Sequence, residues 1–105
     1  MKTVNILGTE YSYKRDDLNN PDLAMNDGVC RVFDKEIAVR EIQYIDGTTD
    51  KGKQYREDHV IRHELIHAFA EESGVEYGHN EALVDWIAHI IPHVNKAFDE
   101  IKGTE

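Results

Sequence analysis

The residues with the clearest chemical meaning are two histidines on either side of a glutamate, in the stretch His63-Glu64-Leu65-Ile66-His67. Residues four apart lie one turn apart on the same face of an α-helix, so both imidazoles can reach one ion. Zinc binds imidazole nitrogen at about 2.0–2.1 Å. Glu64 is turned by about 100° from His63 on a helix, so its carboxylate can take a proton from a water that the metal activates. The spacing therefore predicts a Zn²⁺ site with a general base beside it.

A third metal ligand is expected from a second acidic segment, because a catalytic zinc usually has three protein ligands and one open position. Glu81 follows His67 by fourteen residues, in the stretch Asn80-Glu81-Ala82-Leu83-Val84-Asp85. We expect Glu81 to complete the ligand set. Asp85 shares a helix face with it and is expected to accept a hydrogen bond from the outer nitrogen of a ligand histidine. The alternative is that Glu81 is only a first-turn glutamate favoured by the helix dipole.

The remaining histidines have simpler explanations. His59 is expected to be an exposed histidine in the first turn of the helix, with an extra ligand or a substrate contact as the alternatives. His79 is a possible replacement for Glu81 as a ligand. His89 and His93 also lie four residues apart, but Pro92 disturbs the helix between them, so we expect no second metal site there.

Cys30 is the single cysteine of the chain. A small buried core residue is the expected role, and the alternative is a thiol that approaches the zinc and blocks it. One cysteine cannot form an internal disulfide, which favours a reducing, cytoplasmic setting.

Two long helices are expected in the second half of the chain. The first is predicted from about Tyr55 to Ser73, with Gly74 as its C-terminal cap, and the second from Glu81, with Asn80 as its N-cap. Pro92 is expected to kink or divide the second helix.

Apolar residues on these helices indicate how they pack. The first helix is apolar around its histidines as well, which predicts burial between two layers. On the second helix the face opposite Glu81 and Asp85 is expected to be core. Its apolar residues are Leu83, Trp86, Ile87 and Ile90, and a further stripe consists of Val94, Phe98 and Ile101.

Strands and loops are expected in the first half of the chain. One strand is predicted over residues 3–10, with Tyr11 and Tyr13 extending it. Residues 29–33 and 36–42 are predicted to form a hairpin through Asp34-Lys35, and residues 46–53 a polar loop. The fold class is therefore α+β in one domain over residues 1–105: a small antiparallel or mixed sheet and loops over 1–52, packed on helices over 53–105.

Composition excludes several classes of function. The chain has 105 residues, 40% hydrophobic and 31% charged, which suits one soluble globular domain. The net charge of -9 disfavours nucleic-acid binding, because an acidic surface repels phosphates. No apolar run has the length of a membrane span, so no membrane partner is expected.

The two motifs together resemble a known family. His63-Glu64-x-x-His67 followed by Asn80-Glu81-x-x-x-Asp85 is similar to the gluzincin arrangement of zinc peptidases. The short gap between the motifs resembles the ImmA/IrrE-like and phage-encoded minimal metallopeptidases, over about residues 27–92. The resemblance implies that His63, His67 and Glu81 bind zinc and that Glu64 is the general base.

The resemblance also implies a substrate and leaves one role open. An edge strand near residues 29–41 would pair with an extended protein or peptide substrate. No residue clearly matches the side chain that stabilises the oxyanion in larger gluzincins; the candidates by position are Tyr77, His79, His89 and His93. The main alternative is a non-catalytic zinc-binding or protein-interaction module with a degenerate protease site. Oligomeric state is left open.

Overall fold

A mixed four-stranded sheet comes first in the chain and two long helices follow it, as a computed structural model shows for residues 2–16, 21–23, 26–41, 49–76 and 80–103. The predicted α+β class is confirmed, and the sheet is mixed. The elements are β1 (Lys2–Ile6), β2 (Thr9–Asp16), β3 (Gly28–Arg31), β4 (Glu36–Arg40), α1 (Asp50–Ser73) and α2 (Glu81–Gly103), with a single 3₁₀ turn over Pro21–Leu23.

A tight turn divides the first predicted strand into a hairpin, so the single strand expected over residues 3–10 is wrong. Leu7 and Gly8 both have positive φ, at 50° and 94°, as a two-residue hairpin turn of the primed type requires. The side chain of Asn5 accepts a hydrogen bond from the Gly8 backbone N–H at 2.8 Å. Leucine rarely adopts this conformation, which is why Leu7-Gly8 is a weak turn signal in the sequence.

The strands lie in the order β1-β2-β4-β3. β1 is antiparallel to β2, β2 is parallel to β4, and β3 is antiparallel to β4. The predicted hairpin of β3 and β4 is confirmed, with Lys35 at φ 55° in its turn. β4 ends at Arg40, and Ile42 lies outside the described residues. β3 is an edge strand, and this matters for the site below.

One face of the sheet packs on α1. Side chains from β1, β2 and β4 meet Ala68 of α1 in a fully buried cluster. Burial of these apolar groups is the main force that holds helix and sheet together. The sheet residues of the cluster are Ile6, Tyr11 and Ile37.

α1 begins earlier than the apolar pattern predicts, at Asp50 rather than Tyr55. The side chain of Thr49 caps it by accepting a hydrogen bond from the Gly52 N–H at 3.0 Å. The polar loop expected over residues 46–53 is therefore wrong for residues 50–53, where a first turn without apolar residues hides the helix. The predicted C-terminal cap is confirmed, with Gly74 at φ 76°.

α2 begins at Glu81 as predicted, and Asn80 caps it by accepting a hydrogen bond from the Leu83 N–H at 3.0 Å. The helix continues through Pro92 to Gly103, so it is not divided. Trp86 is expected in the core from the sequence, but 58% of its surface is exposed.

The packed face of α2 is rotated from the expected one towards the acidic residues, so that Leu83, Ile87 and Ile90 are half-buried and Trp86 is exposed. Positions 81, 84, 85 and 88 form one helical stripe, and Val84 and Ala88 are its buried members. α1 thus lies between the sheet on one side and this stripe of α2 on another. Within the described ranges, neither helix is apolar over enough of its length to cross a lipid bilayer.

A polar contact fixes the C-terminal part of α1 to the sheet and predicts acid-sensitive stability. The carboxylate of Glu72 accepts hydrogen bonds from the Lys35 ammonium and the Tyr11 hydroxyl, each at 2.8 Å. The Lys35 contact, followed by hydrogen bonds from Thr9 and Tyr11, lowers the pKa of Glu72 to about 2. The stabilisation is complete above the ordinary glutamate pKa and is lost as the pH falls towards about 2.

We expect Glu72→Gln to lower the free energy of unfolding at pH 7 and to flatten its decline in acid. Urea unfolding across a series of pH values measures both effects. Glu71→Gln, at the exposed neighbouring position, is the control and should behave as the parent. Equal pH dependence in the Glu72 variant and the parent would contradict this role.

Candidate metal centre

Three histidines on α1 face α2 at intervals of one helical turn, at positions 59, 63 and 67. The rings of His63 and His67 have centroids 5.0 Å apart, and both side chains are largely buried, with 17% and 12% exposed. The first turn of α2 lies across from them because the chain reverses at the Gly74 cap. The predicted pair therefore shares one face of α1.

Glu81 of α2 lies between these two imidazoles. Its Oε2 atom is 2.8 Å from Nε2 of His63, and its Oε1 atom is 2.9 Å from Nε2 of His67. The carboxylate of Glu81 on α2 thus contacts the Nε2 atom of both imidazole rings on α1. The structure brings together all three residues that the sequence predicted as ligands.

The donor set of these three residues fits a divalent cation. One nitrogen from each ring and one carboxylate oxygen lie within 4.8 Å of one another. Ligand atoms at zinc bond lengths in a tetrahedron are separated by about 3.3 Å. The two carboxylate–imidazole contacts are a few tenths of an ångström shorter than this separation, so small side-chain shifts would admit an ion. Two imidazoles and a carboxylate are also a ligand set that zinc uses in catalytic sites.

Asp85 lies on the other side of the His63 ring, one turn along α2 from Glu81. Its Oδ1 atom is 3.2 Å from Nδ1 of His63 and 2.7 Å from Nε2 of His59. These two hydrogen bonds, the one from His59 foremost, lower the pKa of Asp85. A carboxylate that accepts the Nδ1 proton fixes the ring orientation and leaves Nε2 as the nitrogen that faces Glu81.

His59 differs from its expected place. Because α1 begins at Asp50, His59 lies in the third turn rather than the first, and 16% of its side chain is exposed. His59, His63 and Asp85 form a second group of donor atoms within 4.8 Å. In that group Asp85 faces Nδ1 of His63, and both contacts of Asp85 are hydrogen bonds to the histidines. We therefore interpret His59 as a support for Asp85.

Glu64 points towards the sheet side of α1 and is one of two buried charged residues among those described. Desolvation raises its pKa to about 7, with His63 opposing the shift and Glu81 adding to it. Gly28 of β3 lies against it, since a Cβ atom there would be 3.0 Å from both Cγ and Oε2 of Glu64. The missing side chain at position 28 lets the edge strand approach the helix at the predicted base.

A cleft of about 640 Å³ is lined by residues of β3, of α1 and of the first turns of α2. Its walls include all the predicted ligands and base, with the edge strand on the opposite side. The lining residues that carry the argument are Gly28, His63, Glu64, His67 and Glu81.

No protein-family model, no curated protein and no solved structure matches this chain. The relation to small zinc peptidases thus stays a prediction that rests on the motif residues themselves.

The other candidate residues of the sequence belong to neither group of donor atoms or lie outside the described residues. Cys30 is partly buried against the core and also lines the cleft, and burial raises the pKa of its thiol to about 12. His89 and His93 have ring centroids 5.5 Å apart and border a second, smaller cavity with Pro92. Residues 77–79, which include the oxyanion candidate Tyr77 and the alternative ligand His79, are not described.

The proposed ligand geometry predicts graded losses of metal affinity. Glu81→Gln should weaken zinc binding by at least about 100-fold, because it removes a charged ligand. Asp85→Asn should weaken it by about 10-fold to 100-fold, because it loosens the orientation of His63. Competition with a chromophoric chelator measures both values. His93→Asn, at the second cavity, is the control and should bind zinc as tightly as the parent. If the His93 variant bound zinc as weakly as the Glu81 variant, the assignment would be contradicted.

The contact at Gly28 predicts a cost for any side chain there. A Cβ atom would lie 2.7 Å from Cγ1 of Val60 and 3.0 Å from Glu64, so Gly28→Ala should lower the free energy of unfolding by about 1–3 kcal/mol. Urea unfolding measures this loss. Gly103→Ala is the control, since a Cβ atom at that position would have no neighbour within 4 Å among the described residues. Equal stability of both variants would show that β3 does not press on α1.

Proposed function

We propose that the chain is a small zinc-dependent peptidase that uses Glu64 as its general base. The observation that carries the proposal is the approach of the Glu81 carboxylate to the two imidazole Nε2 atoms, at 2.8 and 2.9 Å. The second support is the buried Glu64 on the cleft side of the same helix.

Each residue has a distinct task in this proposal. His63, His67 and Glu81 hold the ion, and Asp85 keeps the His63 ring in place through Nδ1. The bound zinc would supply Lewis-acid polarisation of the substrate carbonyl and a water of lowered pKa. Glu64 takes the proton that the attacking water loses and delivers it to the departing amine nitrogen. Its burial excludes bulk water from this transfer.

The proposed substrate is an extended stretch of protein or peptide. β3 is an edge strand, so its outer backbone groups are available for pairing with a further strand. The same strand forms one wall of the cleft opposite the histidines. A peptide paired with β3 would therefore lie along the cleft that the proposed metal ligands also line. Cys30 is the single cysteine and cannot form an internal disulfide, which is compatible with a reducing compartment such as the cytoplasm.

The alternative is a non-catalytic zinc module, in which a fourth protein ligand closes the site. Asp85 and His59 are the nearest candidates for that ligand. Asp85 contacts Nδ1 of His63 and His59 contacts Asp85, whereas Glu81 contacts Nε2 of His63. This division of the two nitrogens favours three ligands and an open position.

Replacement of Glu64 tests the proposed chemistry. We expect Glu64→Gln to retain zinc and to lower the rate of peptide cleavage by about 100-fold to 10,000-fold, since it removes the general base. The assay incubates zinc-loaded protein with a mixture of unstructured peptides and identifies products by mass spectrometry. Glu71→Gln, an exposed cleft-lining change on the same helix, is the matched control.

Two results would count against the proposal. Cleavage by the Glu64 variant at the parent rate would show that another group acts as the base. A zinc-loaded parent that cleaves none of the peptides, with four protein ligands on its ion, would establish the non-catalytic module instead.

A further inference from the structure

An apolar stripe extends along α2 well beyond the part that carries Glu81 and Asp85. Its members follow one another at steps of three and four residues, the spacing of a helix that packs along another helix. Branched and aromatic side chains occupy every position of the stripe. These residues are Val84, Ile87, Ile91, Val94, Phe98 and Ile101.

The stripe is buried at its start and exposed at its end. Val84 is 2% exposed, whereas Ile91 is 37%, Val94 57%, Phe98 60% and Ile101 67% exposed. Of the described elements, α1 packs against α2, and the small cavity between them reaches only as far as His93. Contiguous apolar surface of this extent is comparable with the largest apolar patch of a typical monomer, and such patches are often interaction sites.

We propose that this end of α2 pairs in an antiparallel manner with the same helix of a second copy of the chain. The exposed part of the stripe is symmetric about position 96. Antiparallel pairing around that point places Ile91 against Ile101 of the second copy and Val94 against its Phe98. Each of these contacts then occurs twice in the pair, once from each copy, as a two-fold interface requires.

The charges of the segment permit this pairing. Residues 91–103 carry two lysines and two carboxylates, Lys96, Lys102, Asp99 and Glu100, so the segment is neutral in a chain of net charge -9. Two copies would repel one another least when they approach through this end. The lysines also have long aliphatic stems that can cover the border of an apolar contact.

The second copy can dock without displacing α1. Ala88 and Pro92 face α1 across the small cavity, and the exposed stripe lies about 60° or more away around the helix. The metal centre, at the opposite end of α2, would remain open in the pair. The inference is thus independent of the proposed peptidase activity.

The available area indicates a weak dimer. The four exposed side chains offer roughly 400 Å² per copy, about half of the 800 Å² per partner that is usual in stable interfaces. The border residues add to this area. We therefore expect an equilibrium between monomer and dimer in the micromolar range, rather than a permanent dimer.

Sedimentation equilibrium of the full chain over a hundredfold range of concentration tests the proposal. We expect reversible dimer formation in the parent and a dissociation constant at least about tenfold higher in Phe98→Glu, which places a charge in the apolar contact. Ile101→Lys is a second variant, placed where α1 does not reach, in case the first one impairs folding. Trp86→Glu is the matched control, since Trp86 is equally exposed on the same helix but lies off the stripe.

Cross-linking tests the direction of pairing. In the antiparallel pair, the Ala97 residues of the two copies would lie on the same side of the interface, close to the two-fold axis. Ala97→Cys should therefore form a disulfide-linked dimer under mild oxidation. The parent, which already has Cys30, is the control. A monomeric parent at all concentrations would overturn the proposal. So would a dimer that Phe98→Glu and Ile101→Lys leave unchanged, that Trp86→Glu weakens equally, or that Ala97→Cys fails to cross-link.

Discussion

The contact on which the site depends is the carboxylate of Glu81 between the Nε2 atoms of His63 and His67. It joins α1 to α2 at the point where their apolar contact begins, beside Val84. Two imidazoles on one helix face offer two ligands at most, and the third must come from another element. The helix end at Gly74 and the N-cap at Asn80 place Glu81 where it can be this third ligand. Without this convergence, the histidines would be ordinary polar residues of an interhelical contact.

The sheet contributes through its closeness to α1 rather than through side chains that touch the proposed ion. Gly28 lets β3 approach until the strand backbone lies against Glu64 and Val60. The resulting burial raises the pKa of Glu64 to about 7. The same approach forms a cleft whose opposite wall carries the proposed ligands. One small residue on an edge strand therefore affects both the environment of Glu64, the proposed base, and the shape of the cleft.

The candidate site could be located from the sequence because its geometry is local. Four-residue spacing fixes His63 and His67 on one face, and the Gly74 and Asn80 caps fix where each helix ends and begins. The packing face of α2 was not predictable in this way, because Trp86 and Val84 are both apolar in sequence. Their different burial follows from the rotation that directs Glu81 and Asp85 towards α1, which is a tertiary effect. The early start of α1 is hidden in the sequence for a different reason: its first turn has no apolar residue to reveal it.

The most direct test of the central claim is the X-ray absorption spectrum of the chain loaded with one equivalent of zinc. Three protein ligands from two helices predict nitrogen and oxygen neighbours at about 2.0–2.1 Å, with the outer-shell scattering of two imidazoles. Replacement of Glu81 by glutamine should change this first shell and leave both imidazole signals in place. A sulfur neighbour at about 2.3 Å would instead place Cys30 on the ion. A third imidazole would place His59 or another histidine there, and either result would contradict the ligand set of His63, His67 and Glu81.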